Sequence, residues 1–405
     1  MLKLTGLVSV GICLLLTAAP ATSTHISGQA DANADSSYYT DTDTTEELTA
    51  EEIQDELMQG YEFDTLNELV SEFGDDTEWN FEDMVSSLMQ GDVEVEENGW
   101  KKYCYEIFLK ELEANIGILV KLILLAVITA IFTNMSGTVG RGLISENGFY
   151  ITYLIMTALL MSSFYLIYQV AEDTVTDLIQ IMEALIPTYM MAVSFSSGVT
   201  SSAILQESMV LGISAVSWGI RKIVFPCIQL FVVLQLVNNL QEEDFFSKFG
   251  ELIQTGVKWL LKSILAVVVG MNAIKSMLAP AADSVAAAAL QRGLGAVPGG
   301  QALNAVSGVV IGSGILIKNA IGVGGMLLIA MAVTLPIIKM SVFILSYKFI
   351  AALLQPISDK RMIQGIQGIS EGGQLLMTAV LTVIVLFLLS IAIVAVSTNV
   401  TYYAG

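Results

Sequence analysis

Histidine is almost absent from this chain: His25 is the only one in 405 residues. Ser-His-Asp and Cys-His nucleophile systems and histidine metal sites each need an imidazole among their partners, so none is indicated. Cysteine is scarce too. Cys13, Cys104 and Cys227 show no CxxC spacing and make no disulfide framework. No GxxxxGK followed by Ser or Thr occurs, and GSGILI at Gly312–Ile317 has isoleucine where a dinucleotide fingerprint needs its third glycine. The chain therefore carries no nucleotide site of its own, and no cofactor is expected. Charge is the last scarcity, at 14% of residues, where soluble domains carry about a quarter.

What is present is apolar. Hydrophobic residues make up 54% of the chain and the mean hydropathy is +0.68, values that belong to a membrane protein. The net charge of −21 is concentrated in one region. From Ile26 to Glu113 there are 26 acidic residues against Lys101, Lys102 and Lys110, while the remainder is close to neutral. The chain thus reads as an acidic, water-facing head on a neutral membrane body. Such a head repels nucleic acid and anionic lipid surfaces, so neither is its expected partner.

Residues 1–21 have the form of a signal peptide: Lys3, an apolar core from Leu4 to Leu16, and the small-residue site Ala19-Pro20-Ala21. The alternative is an uncleaved anchor, for which the apolar core is short. Cleavage would make the head extracytoplasmic. Residues 22–48 are poor in large apolar side chains and are expected to form a disordered acidic tether. Residues 49–114 are expected to be an acidic helical region. Thr49 and Glu52 have capping-box spacing ahead of Ile53 and Leu57. In the next helix Asp64 can cap, Leu66, Leu69, Val70 and Phe73 form the stripe, and Gly74 stops it. A third has Asn80 as cap, Phe81, Met84, Val85 and Leu88 as stripe, and Gly91 as stop. These short amphipathic helices are expected to dock on the membrane body or on a partner. Without histidines or an EF-hand-spaced loop, their acids read as a solvated face rather than a metal site.

Residues 115–405 are expected to form the multipass domain of an all-α membrane protein, with about six to eight crossings by length and composition. Clear spans are Asn115–Met135, Phe149–Val170, Ile223–Leu240, Leu260–Leu278, Met326–Tyr347 and Leu375–Ser397. Leu178–Trp218, interrupted by Pro187 and SFSSGVTSS, and Ala302–Val323 are too broken for one clean span, which predicts broken or re-entrant helices. Arg221, Lys222, Lys360 and Arg361 are expected to fix topology from the cytoplasmic side, with Arg141 and Lys348. Glu172, Asp173, Asp177 and QEED at Gln241–Asp244 suit the outer side, while Lys258 and Lys262 fall there against the rule. Glu183, Glu207, Asp283 and Glu371 are the membrane carboxylates available to an ion or proton relay, or to an interface.

VVIGSGILIKNAIGVGGMLLIA, from Val309 to Ala330, joins these themes. Gly308 and Gly312 are spaced as a helix-packing GxxxG, and Ala320 to Gly324 is small-xxx-small. Lys318 and Asn319 are expected to mark a polar break between two membrane segments, with Gly322, Gly324 and Gly325 as a flexible joint. Lys318 either snorkels to the headgroups or lines a pore.

The strings LNELVSEFG, EALIPTYMMAVSFSSG, IRKIVFPCIQL, ILIKNAIGVGG and FIAALLQPISDKRM, in that order, resemble the stage III sporulation protein AE family of endospore-forming bacteria. The resemblance implies a non-enzymatic, multipass subunit of the mother-cell membrane around the forespore, part of a secretion or feeding channel. It implies as partners the other stage III A-operon proteins, including ring-forming subunits and a separate secretion-type ATPase, and the forespore stage II Q protein. It supplies no catalytic residues. A self-contained permease for a small solute or ion, motivated by the broken helices and Lys318, and a membrane scaffold or sensor are the other readings.

Overall fold

The computed structural model describes residues 57–73, 80–91, 97–135, 143–240, 246–294 and 300–399, with side chains left out at 97–104, 129–130, 132–147, 280–311 and a few further positions. The signal peptide, the tether, the Thr49 capping box, Gly74, Arg141, QEED and the Asp283 side chain lie outside the described residues. Every regular element within them is helical: α1 (Asp64–Phe73), α2 (Phe81–Gln90), α3 (Glu97–Met135), α4 (Leu143–Ser197), α5 (Val199–Ala215), a π-helical turn (Val216–Val224), α6 (Phe225–Asn238), α7 (Ser247–Leu294), α8 (Gly300–Leu354) and α9 (Lys360–Asn399).

Among the described residues five stretches are long and apolar enough to cross a membrane: Gly148–Ser197, Val199–Asn238, Ser247–Ala279, Gly312–Leu354 and Lys360–Thr398. Their directions follow from who meets whom. Arg361 lies over Phe149 and Thr398 beside Ser197, so α9 runs parallel to α4. Ser202 meets Met190 and Tyr153 meets Leu236, so α5, the π-turn and α6 return antiparallel to α4. Asn272 on Ser390 and Gly250 and Gly368 both on Gln235 set α7 parallel to α9. Lys318 on Thr398 and Phe343 on Gly373 set α8 antiparallel to it. α3 packs on α4 and α8, with its Glu111 3.8 Å from Lys339, and it passes without interruption through residue 115.

Helix breaks fall where backbone chemistry requires them. α4 ends at Gly198, whose φ of 111° is open to glycine and strained for a side chain. Pro187 sits inside α4 without ending it. Pro226 follows the π-turn: a proline has no N–H for the carbonyl four residues back and its ring crowds that carbonyl, which a widened turn accommodates. Side-chain bonds to backbone carbonyls then join helices across the core. Tyr153 Oη donates to Leu236 O at 2.8 Å, Ser202 Oγ to Met190 O at 2.6 Å, and Ser370 Oγ to Ile344 O at 3.2 Å.

The stripes of α1 and α2 turn inward as spaced, with Phe73 and Leu88 half-buried at their ends. Leu66, Leu69 and Val70 of α1 and Phe81, Met84 and Val85 of α2 all enter the core, and Gly91 closes α2 at φ 78°. The α2 cap differs from expectation. Asn80 makes no side-chain cap bond; Asn67 Oδ1, from α1, accepts the Phe81 N–H at 2.7 Å and the Glu82 N–H at 3.4 Å. A neighbouring helix supplies the acceptor that a local residue was expected to supply, which staples α2 to α1.

Candidate functional site

The expected break at Lys318 and Asn319 does not occur: α8 is helical without interruption from Gly300 to Leu354. Glycine disfavours an isolated helix by about 1 kcal/mol relative to alanine, but here neighbouring helices fill the space a side chain would have taken. Gly322 lies under the Tyr189 ring and Gly325 under the Leu185 side chain, both on α4. Gly314 would place a Cβ 3.2 Å from Phe195 Cβ and 3.4 Å from the Phe195 and Ser196 backbone, so α8 and α4 touch main chain to main chain there. Gly324 faces α2, where Phe81 and Met84 would stand 3.3 and 3.4 Å from an added Cβ. The glycines expected to form a joint are therefore seats for four large side chains.

Among the described residues no neighbouring helix comes within 4 Å of where a Gly312 Cβ would be, and the surroundings of Gly308 lie outside the described residues. The close approach of α8 in this structure thus falls at Gly314 and Gly322–Gly325.

Lys318 is fully buried, its side chain enclosed by protein. Its Nζ donates to Thr398 Oγ1 at 2.8 Å, Thr398 Oγ1 donates to Val394 O at 2.7 Å, and Ser197 Oγ donates to Thr398 O at 3.2 Å. The ammonium therefore sits where α4 and α9 both end. Helix C-termini carry partial negative charge and free carbonyls, so a cation there offsets two dipoles at once. Asn319 beside it is half-buried.

The remaining expected charges lie apart. Arg361 stacks on Phe149, 3.7 Å from guanidinium carbon to ring centroid, and its backbone N–H donates to Asp359 Oδ1 at 2.9 Å, while Lys360 is exposed. Arg221 is 3.9 Å from Glu172, so these two do not lie on opposite sides of the membrane as their charges led us to expect, and Lys222 is exposed. Glu207 pairs with Lys275 at 3.2 Å, Glu183 is exposed, and Glu371 is half-buried. Among the described residues no three His, Cys, Asp or Glu side chains gather as metal ligands.

Sequence reasoning missed where α1 and α2 sit. They lie on α4 and α8, with Phe63 against Phe81 (centroids 5.9 Å apart), Tyr61 against Phe195 (6.4 Å), and Thr188 Oγ1 donating to Glu62 O at 3.4 Å. Burial pushes the Tyr61 phenol up to about 12. The signal was present in the glycines at 322–325, but it names no partner helix.

The architecture is that of a polytopic helical membrane protein with an acidic helical pair seated on its membrane helices. The sequence profile of the stage III sporulation protein AE family matches residues 79–398. Stage III sporulation protein AE of Bacillus subtilis (strain 168) is 23% identical over 359 residues, which cover 87% of this chain and 90% of that one. No solved structure matches. The chain belongs to the stage III sporulation protein AE family.

Proposed function

We propose that the chain is a non-enzymatic integral-membrane subunit of the secretion or feeding channel that links mother cell and forespore. The observation that carries this reading is family membership across most of the chain, supported by five helices able to cross a membrane. In this reading the protein sits in the mother-cell membrane around the forespore with its acidic region extracytoplasmic. Arg221, Lys222, Lys360 and Arg361 hold the cytoplasmic side. Lys318, Asn319 and the glycines 322, 324 and 325 form the packed seam that keeps the helices in register. The partners are the other stage III A-operon proteins, with ring-forming subunits and a separate ATPase that supplies energy, and the forespore stage II Q protein.

The test is to inactivate the chromosomal copy in the native spore-former and follow late forespore transcription and spore yield. Loss of both, restored by the gene in trans, is expected. Normal spores with active late transcription overturn the reading.

A further inference from the structure

The acidic pair lies at a depth where lipid would be expected. α9 has no charged residue from Gly372 to Asn399, about 40 Å of helix at 1.5 Å per residue, which matches a bilayer. Gly372 meets Phe164 and Thr398 meets Ser197, so this uncharged stretch runs beside the second half of α4. Tyr189 Oη, 3.5 Å from Ile391 O, ties the two inside that stretch. α1 and α2 cover the same part of α4: Glu62 bonds Thr188, Tyr61 touches Phe195, and Glu72 is an electrostatic neighbour of Asp177.

The two flanks at this depth are opposite in character. The outer faces of α1 and α2 expose Glu62, Asp64, Glu68, Glu72, Glu82 and Asp83, and no Lys or Arg lies between residues 57 and 91. On α7, Asn272 Nδ2 donates to Ser390 Oγ at 2.7 Å and sets the depth; beside it Ile274 is 63% and Met277 79% exposed, and Lys275 between them pairs with Glu207 of α5 at 3.2 Å. Lipid cannot solvate six carboxylates, so the acidic flank is not a lipid face. The α7 flank is apolar around one neutral ion pair, Lys275 with Glu207, and its large exposed apolar side chains are of the kind that membrane contact covers.

We propose that the α1–α2 flank faces water bounded by protein at bilayer depth, making it a wall of an aqueous conduit, while the α7 flank faces lipid. The bundle is then wet on one side and greasy on the other. A wall bearing carboxylates and no base favours cations and neutral solutes over anions. The inference deepens the channel reading and rests on it for the purpose of the water-filled space, not for its existence.

Cysteine labelling tests it on the full chain. In a chain whose own cysteines are serines, Glu68→Cys, Asp83→Cys, Ile274→Cys and Met277→Cys are made singly. All four positions are exposed, so folding is kept, and protein levels are checked by immunoblot. Membranes from sporulating cells are opened by freeze–thaw and treated with a membrane-impermeant maleimide, then again after detergent. Positions 68 and 83 should label before detergent about tenfold faster than 274 and 277, because the reacting thiolate forms in water. Equal labelling at all four would put this half of the bundle outside the bilayer and overturn the proposal. Protection of 68 and 83 would overturn it too. Wet positions 68 and 83 in a protein dispensable for late forespore transcription would sink the channel reading and leave the wet flank standing.

Discussion

The two halves of α8 solve the same packing problem in opposite ways. From Gly312 to Gly325 it contributes glycines, and its neighbours contribute Leu185, Tyr189 and Phe195 from α4 and Phe81 from α2. From Met326 to Leu354 it has no glycine. There α8 supplies Phe343 and Ile344, and α9 supplies the gap at Gly373, next to Gly372, which receives Val232 of α6 and Phe164 of α4. Close helix approach needs a small residue on only one of two facing surfaces. The side that carries it fixes which helix can slide or tilt, so alternating the donor along α8 locks the register of α4, α8 and α9 at both ends.

Breaking either half should abolish the fold. Gly325→Leu and Gly372→Leu each force a branched side chain into space already held by Leu185 or by Val232 and Phe164. Each is expected to exceed the roughly 1–3 kcal/mol typical of overpacking, because an added Cβ alone already overlaps Leu185 at Gly325 and Val232 at Gly372. The check is accumulation of full-length protein in membranes, which should fall severely for both. A loss confined to one variant would show that one end of α8 dominates.

Phe81→Ala empties the seat over Gly324 and is expected to cost about 3–5 kcal/mol, the range for truncating a buried phenylalanine. Its effect should be local: α1–α2 become protease-sensitive while the fragment from α4 to α9 stays protected. Cleavage throughout the chain would mean that the acidic pair holds the membrane helices together.

Lys318→Met keeps length and removes charge. Thr398 Oγ1 keeps its bond to Val394 O, so the loss is confined to the cation's interaction with the two helix ends, about 1–2 kcal/mol. Lys318→Glu places a negative charge at two helix C-termini and should cost several times more. Thermal melts in detergent separate the two. If Lys318→Met instead removes spore formation at normal protein levels and unchanged melting, the ammonium serves the conduit directly.

Gly312→Ala is the smallest change. With open space at its Cβ, helix propensity alone acts, and a gain of up to about 1 kcal/mol is expected. A loss in native membranes but not in detergent would identify a partner helix packed at this glycine.

The α1 and α2 stripes were legible because a period of 3.6 decides which residues share a face before any partner is known. Gly91 was legible because a left-handed residue ends helices. The Asn80 cap was not, because Asn67 lies 13 positions away and competes from another helix. The joint at Gly322–Gly325 misled because glycine has two uses, flexibility and close approach, and local sequence does not say which applies. Lys318 likewise could snorkel, line a pore or cap helix ends until Thr398, 80 residues on, was found beside it.

Composition and periodicity by themselves determined that this is an all-α membrane protein with an acidic amphipathic region. Those properties depend on local spacing and on transfer between water and lipid, both written residue by residue. Only the tertiary structure decided that the acidic helices lie on membrane helices, that the glycines are seats, and that the buried lysine closes two helix ends. Those outcomes depend on which distant surfaces meet, a choice made by side-chain shape across hundreds of residues.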